Sequence, residues 1–226
     1  MRSDSTKGDH TFVSSARRAQ IVAAAIDTVA EDGYANASLA RIAVRLDISK
    51  GVISYHFAGK DDLVAEIVSQ VLRQARAYMQ PRIEAQTTGP EMLRAYIESN
   101  LEFIRDNPNQ LRAVVEIVRA AYAGAKSPIT GNRDRAVPIL ADMLARFQAS
   151  GDFRPDFDPN AMAMAVRAVI DVAPSRLIHP DFDIDRYARE AVTLFGTPLR
   201  LGVNPGSGRR SLTFEAVPAL PAIIVR

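Results

Sequence analysis

Between residues 49 and 60 the chain reads Ser49-Lys50-Gly51-Val52-Ile53-Ser54-Tyr55-His56-Phe57-Ala58-Gly59-Lys60. Ammonium, hydroxyl, phenol and imidazole groups gather there around a glycine. A short helix serving only as structure would not present Lys50, Ser54, Tyr55 and His56 outward, whereas a helix lying in a DNA major groove needs such donors for phosphates and base edges.

Other chemistries lack their residues. Cysteine is absent, which removes disulfides, thiolate metal sites and thiol nucleophiles. The histidines His10, His56 and His179 fall in a tail, in the donor-rich segment and beside Pro180, so no pair has metal-ligand spacing on one helix. Neither a metal nor a cofactor is expected. No Gly-x-Ser-x-Gly elbow, phosphate-binding loop or dinucleotide fingerprint occurs, and Gly206-Ser207-Gly208 reads as flexible linker. Catalysis is therefore not expected. The net charge of +2 does not settle the matter, because Arg200, Arg209, Arg210 and Arg226 stand against Glu215 beyond residue 196 and leave the remainder near neutral. Binding to nucleic acid has to come from a local constellation.

Helices must position these donors. From Ser14 to Asp32, Ile21, Ala24, Ala25, Thr28 and Val29 recur at three- and four-residue spacings, with Arg17, Arg18, Asp27 and Glu31 elsewhere, and Gly33 suits the C-terminal cap. Ser38 can cap a second helix whose buried stripe is Leu39, Ile42, Ala43 and Leu46. Asp47-Ile48-Ser49 then interrupts it, and Ser49 can cap a third helix ending near Ala58-Gly59. Two short helices joined by a tight turn on a longer first helix form a helix-turn-helix.

The ordered pattern Ile21-x-x-Ala24-Ala25, Gly33-Tyr34, Ile42-Ala43 and Ile48-Ser49-Lys50-Gly51-x-Ile53-x-Tyr55-His56-Phe57-x-x-Lys60-x-x-Leu63 resembles the N-terminal domain of the TetR family of transcriptional regulators. Two residues depart from the family pattern: Asp47 replaces a frequent glycine at the turn, and Ser54 replaces a frequent aromatic. Aspartate tolerates left-handed backbone better than most residues, so the turn is expected to survive. The resemblance implies an all-α, homodimeric, ligand-responsive regulator, most often a repressor, released from a palindromic operator by a small, mostly apolar effector. Helix position assigns Lys50, Gly51, Val52 and Ser54 to base edges, and Ser49 at the helix start belongs to the same candidate DNA-binding set. Position also assigns Ser38, Tyr55, His56 and Lys60 to phosphates.

Beyond residue 63 periodicity carries the reading. Helices are expected at about 61–80, 90–106, 108–124, 130–150, 159–176 and 184–196, about nine in all, with Pro138 favouring a start of the 130–150 helix near Val137. The organisation expected is a flexible arm over 1–13, the helix-turn-helix domain over 14–60, a regulatory and dimerisation domain over 61–196, and an irregular extension over 197–226. Segment 159–174 is apolar almost all round except Arg167 and Asp171, spaced to pair at four residues, so one of its sides needs a second burial partner. Met162, Val166, Val169 and Ile170, with Tyr187, Leu194 and Phe195 of the next helix, are the candidate dimer interface. Tyr96, Leu101, Phe103, Val118, Tyr122 and Arg167 are the candidate effector contacts, although most apolar residues of the middle helices must be ordinary core. The polar N-terminus and the lack of a long apolar run suit a cytoplasmic protein with no membrane contact. A small helical enzyme and a helical interaction module without DNA binding are the alternatives. The first would need converging polar groups that the middle helices do not display, and Lys50, Tyr55, His56 and Lys60 speak against the second.

Overall fold

The computed structural model describes residues 5–122 and 136–199. Among these residues there are nine α-helices and no strand: α1 (Ser5–Asp32), α2 (Leu39–Arg45), α3 (Lys50–His56), α4 (Lys60–Glu84), α5 (Gly89–Asp106), α6 (Pro108–Tyr122), α7 (Ala136–Ala149), α8 (Pro159–Arg176) and α9 (Ile184–Leu199). The all-α class expected from the sequence is what the described residues adopt. Among the described residues no helix is long and apolar enough to cross a membrane.

Local chemistry explains most of the boundaries. Ser38, Thr88 and Asp158 cap α2, α5 and α8 by accepting hydrogen bonds from the backbone N–H groups of Arg41, Glu91 and Ala161. Gly33 takes φ 79 and donates its N–H to the Val29 carbonyl, ending α1. Pro138 lies in the first turn of α7, where its missing N–H costs nothing. Three elements differ from expectation. Helix α1 begins at Ser5, so part of the arm expected over 1–13 is helical. Helix α4 does not stop before Pro81 but runs to Glu84, and Ala85 donates to the Pro81 carbonyl beyond it. Helix α9 reaches Leu199, and the irregular extension expected after it lies, from residue 200, outside the described residues.

The described residues form two compact units, 5–70 with 109–122, and 71–108 with 136–199. In the first, Ile21, Ala25 and Val29 of α1, Ile42 of α2, Ile53 of α3, Leu63 and Ile67 of α4 and Leu111 and Val114 of α6 are buried. Helix α6, counted from sequence with the regulatory half, thus packs in the unit that holds the helix-turn-helix, and Asn109 donates to Asp27 at 3.3 Å. In the second unit Met79, Ile83, Leu93, Ile97, Leu144, Phe147, Val166 and Ile170 make the core. Helix α8 lies against α7 and α5, and α9 against α5.

Candidate nucleic-acid interface

Helix α3 is anchored through one face only. Ile53 and the capping Phe57 are fully buried, each worth about 1.5–3 kcal/mol of burial. The approach to α3 is a turn in which Asp47 adopts φ 53 and the Ile48 N–H reaches the Ala43 carbonyl at 3.0 Å. The left-handed position expected to tolerate aspartate is the one it occupies. Ser49 stands at the N-cap with extended backbone, but its hydroxyl makes no capping bond.

Opposite Ile53, Lys50, Gly51, Ser54 and Tyr55 are exposed, while Val52 and His56 are half-buried. Tyr55 leaves 82% of its surface open, and its ring meets His56 edge-on with centroids 5.1 Å apart. A Cβ added at Gly51 would find only the Ser49 hydroxyl, at an ordinary 3.6 Å. Nothing among the described residues demands glycine there. Ser38 is exposed at the start of α2, with its oxygen accepting from Arg41 N at 3.2 Å. Lys60 is more constrained than the sequence suggested. Its Nζ donates to the Tyr34 carbonyl at 2.5 Å and sits 4.1 Å from the Tyr34 ring centroid. Burial lowers the Lys60 ammonium from its ordinary value, against the opposing pull of Asp61, while burial and then Asp61 raise the Tyr34 phenol.

The arrangement is a short helix with its apolar side sunk in the core of the first unit and its donor-bearing side open, which defines a helix-turn-helix protein. Residues 21–67 match the family described as bacterial regulatory proteins, tetR family. The BetI 1 transcriptional regulator of Chromohalobacter salexigens is 43% identical over 56 residues, covering 25% of this chain and 28% of the relative. The BetI regulator of Paraburkholderia phytofirmans is 42% identical over 57 residues, covering 25% and 29%. The chain thus spans less than a third of the length of these curated relatives. The solved structure of a tetR-family regulatory protein from Rhodococcus RHA1 is 24% identical with TM-score 0.68, covering 83% of this chain and 98% of that one. The structure of AibR in complex with isovaleryl coenzyme A and operator DNA is 19% identical with TM-score 0.67, covering 81% and 99%. These two likenesses extend the shared fold past the N-terminal domain.

The residues singled out for an effector are distributed between the units. Tyr96, Leu101, Phe103 and Arg167 are buried in the second, Val118 is buried in the first, and the side chain of Tyr122 lies outside the described residues. The structure brings Arg167 and Tyr96 together: Nη1 of Arg167 donates to the Tyr96 phenol at 2.9 Å and to Asn100 Oδ1 at 3.4 Å. Nη2 pairs with Asp171, as the four-residue spacing implied, and Nε is buried with no hydrogen-bond partner among the described residues. Burial pushes the Asp171 carboxyl up to about 6, against the attraction of Arg167. A separate open groove of about 460 Å³ runs past Arg82, Ala85, Glu98, Ser99 and Glu102, and none of the residues singled out from sequence lines it.

The residues singled out for an interface are also divided. Val166 and Ile170 are fully buried and Phe195 nearly so within a single chain, so these three face their own core and offer a partner little surface. Met162, Val169 and Tyr187 are half-buried, and the Tyr187 hydroxyl donates to the Val169 carbonyl at 2.6 Å. Leu194 is 60% exposed. The open apolar stripe of α8 is instead Ala161, Met164, Ala165, Ala168 and Val172, at three- and four-residue spacings. A helix apolar on every side has no periodicity to orient it, so spacing alone did not separate the buried side of α8 from its open one.

Proposed function

We propose that the chain is a ligand-responsive transcriptional regulator, acting as a repressor, that binds a palindromic operator as a dimer and is released by a small, mostly apolar effector. The observation that carries the DNA-binding part is the face of α3: Lys50, Gly51, Ser54 and Tyr55 lie open to solvent on a helix held through Ile53 and Phe57. Donors at the helix start reach base edges, and Ser38, Tyr55, His56 and Lys60 reach phosphates. Lys60 keeps two ammonium protons for this after its bond to Tyr34. The dimer reading rests on the apolar stripe of α8, whose alanines permit close approach of two backbones. The effector reading draws on AibR, a protein of the same fold described with both isovaleryl coenzyme A and operator DNA.

The full chain should enrich a palindromic sequence from a randomised duplex library, with half-site centres about 34–36 Å apart or a multiple of that spacing. Tyr55→Ala should weaken binding to every duplex with no change in melting temperature, because the ring is exposed. Lys50→Ala should relax base preference. Ala168→Glu should yield monomers by sedimentation. Failure to enrich any duplex, with folded protein, contradicts the DNA-binding reading.

A further inference from the structure

We infer that Arg18 positions the DNA-reading helix by tying its last carbonyl to α1 and α4, a role that rests on the DNA-binding reading above. Helix α3 has seven residues, too few to hold its own shape, and its chain leaves through Phe57 in an extended conformation. The carbonyls beyond Ile53 consequently have no following helical turn to bond them. Arg18 Nη1 donates to the His56 carbonyl at 2.6 Å, Nη2 donates to Glu66 Oε2 at 2.9 Å, and the guanidinium carbon sits 4.1 Å from the centroid of the Phe57 ring. One planar cation thus caps the end of α3, covers the residue that ends it and takes its orientation from a carboxylate on α4. A guanidinium suits this because its donors form a fixed fork and its face stacks on an aromatic ring, and a cation is favoured at a helix C-terminus.

Ile53 and Phe57 set how deeply α3 is seated. Both lie on the buried side and leave the helix able to roll about them, which would sweep Lys50, Ser54 and Tyr55 across the groove. The bond to His56 opposes that roll from outside the apolar contact. Because Glu66 is on α4, a rotation of α4 displaces the guanidinium and shifts the far end of α3 with it. Arg18 and Glu66 are both partly exposed, so their pairing adds little to stability. Its effect belongs in the discrimination between duplexes.

The test uses the full chain, a duplex enriched by the wild type, and a random duplex. Arg18→Met keeps the stem over Phe57 and removes every donor. It should lower the ratio of selected to random affinity about tenfold, with random-duplex affinity within about threefold of wild type and the melting temperature nearly unchanged. Glu66→Gln retains an acceptor oxygen and should keep the wild-type ratio. Arg18→Lys retains the charge and stem with a single bond and should fall between. An unchanged ratio in Arg18→Met overturns the inference, as does a parallel loss of ratio, random-duplex affinity and melting temperature. Should Arg18→Met not fold, an unchanged ratio in Arg18→Lys overturns it. Exchange of the Phe57 amide, which bonds the Ile53 carbonyl, supplies a reading independent of DNA. Acceleration in the folded variants supports the role, and wild-type exchange refutes it even if the wild type enriches no duplex.

Discussion

Both units carry exposed ion pairs, but among the described residues the second also buries one. In the first, arginines and carboxylates pair on the outside: Arg41 with Asp32 at 2.5 Å and Arg45 with Glu31 at 2.7 Å, both bidentate and both bathed in water. In the second, Arg167 and Asp171 pair inside, against Tyr96 and Asn100. Exposed pairs are screened and nearly dispensable, so the first unit can devote its surface to whatever approaches it. A buried pair is different. It adds little over an apolar pair of the same shape, yet losing one member strands a charge where water cannot reach it. The second unit thus carries an internal constraint on which arrangements of α5 and α8 are allowed.

The largest effect expected from this contrast comes from Arg167→Met. Stranding Asp171 should cost about 3–5 kcal/mol of unfolding free energy at neutral pH, whereas Arg167→Met combined with Asp171→Leu should restore most of it. Arg45→Ala should leave the denaturation midpoint where it was. If Arg167→Met and Arg45→Ala prove equally mild by urea unfolding, the contrast fails.

Proton uptake sharpens the comparison. Asp171 stands at about 6 in the folded chain against an ordinary 3.8, so the folded state holds the proton more tightly than the unfolded. This carboxyl's contribution to stability is complete below about 3.8 and is lost as pH rises through about 6. Asp171→Asn should flatten that part of the profile between pH 4 and 7, and the penalty of Arg167→Met should shrink at pH 5. Equal slopes for wild type and Asp171→Asn would place the carboxyl in water instead.

A third prediction concerns packing in the second unit. A Cβ at Gly89 would lie 2.6 Å from the Phe147 ring, and the Gly89 N–H is held by Asp152 at 2.8 Å, so the backbone cannot retreat freely. Gly89→Ala should cost about 1–3 kcal/mol by overpacking. Gly51→Ala, on the open face of α3, should leave folding intact.

What the sequence reveals of all this divides along the same line. Caps, turns and stripes are local, so Ser38, Gly33 and the Asp47 turn could be read from the sequence, and the donor face of α3 followed from residue type. Arg167 with Asp171 was legible because four residues is one helical turn. Tyr96 and Asn100 were not legible as its partners, since they come from another helix about seventy positions away. Arg18 looked like a solvated face for the same reason: its target carbonyl is thirty-eight residues on. Pro81 misled because the residues that bury Met79 and Ile83 on either side of it belong to tertiary packing, which outweighs one missing N–H.

The smallest effect is at the turn of the first unit, and it has a definite sign. Asp47 holds φ 53, a region that costs most L-residues about 1–2 kcal/mol and aspartate less, because its short side chain can bond locally. Glycine there carries no Cβ penalty but loses more backbone freedom on folding, and the two terms nearly cancel. Asp47→Gly should therefore shift stability by no more than about 0.5 kcal/mol. Asp47→Val brings a β-branched side chain to the same backbone and should destabilise by about 1–2 kcal/mol, with α3 loosened first because the turn sets its entry. Equilibrium unfolding in urea separates them. If valine is tolerated as well as glycine, φ at position 47 is not fixed, and a turn that yields so easily could not hold α3 in register with Ser38 across a duplex.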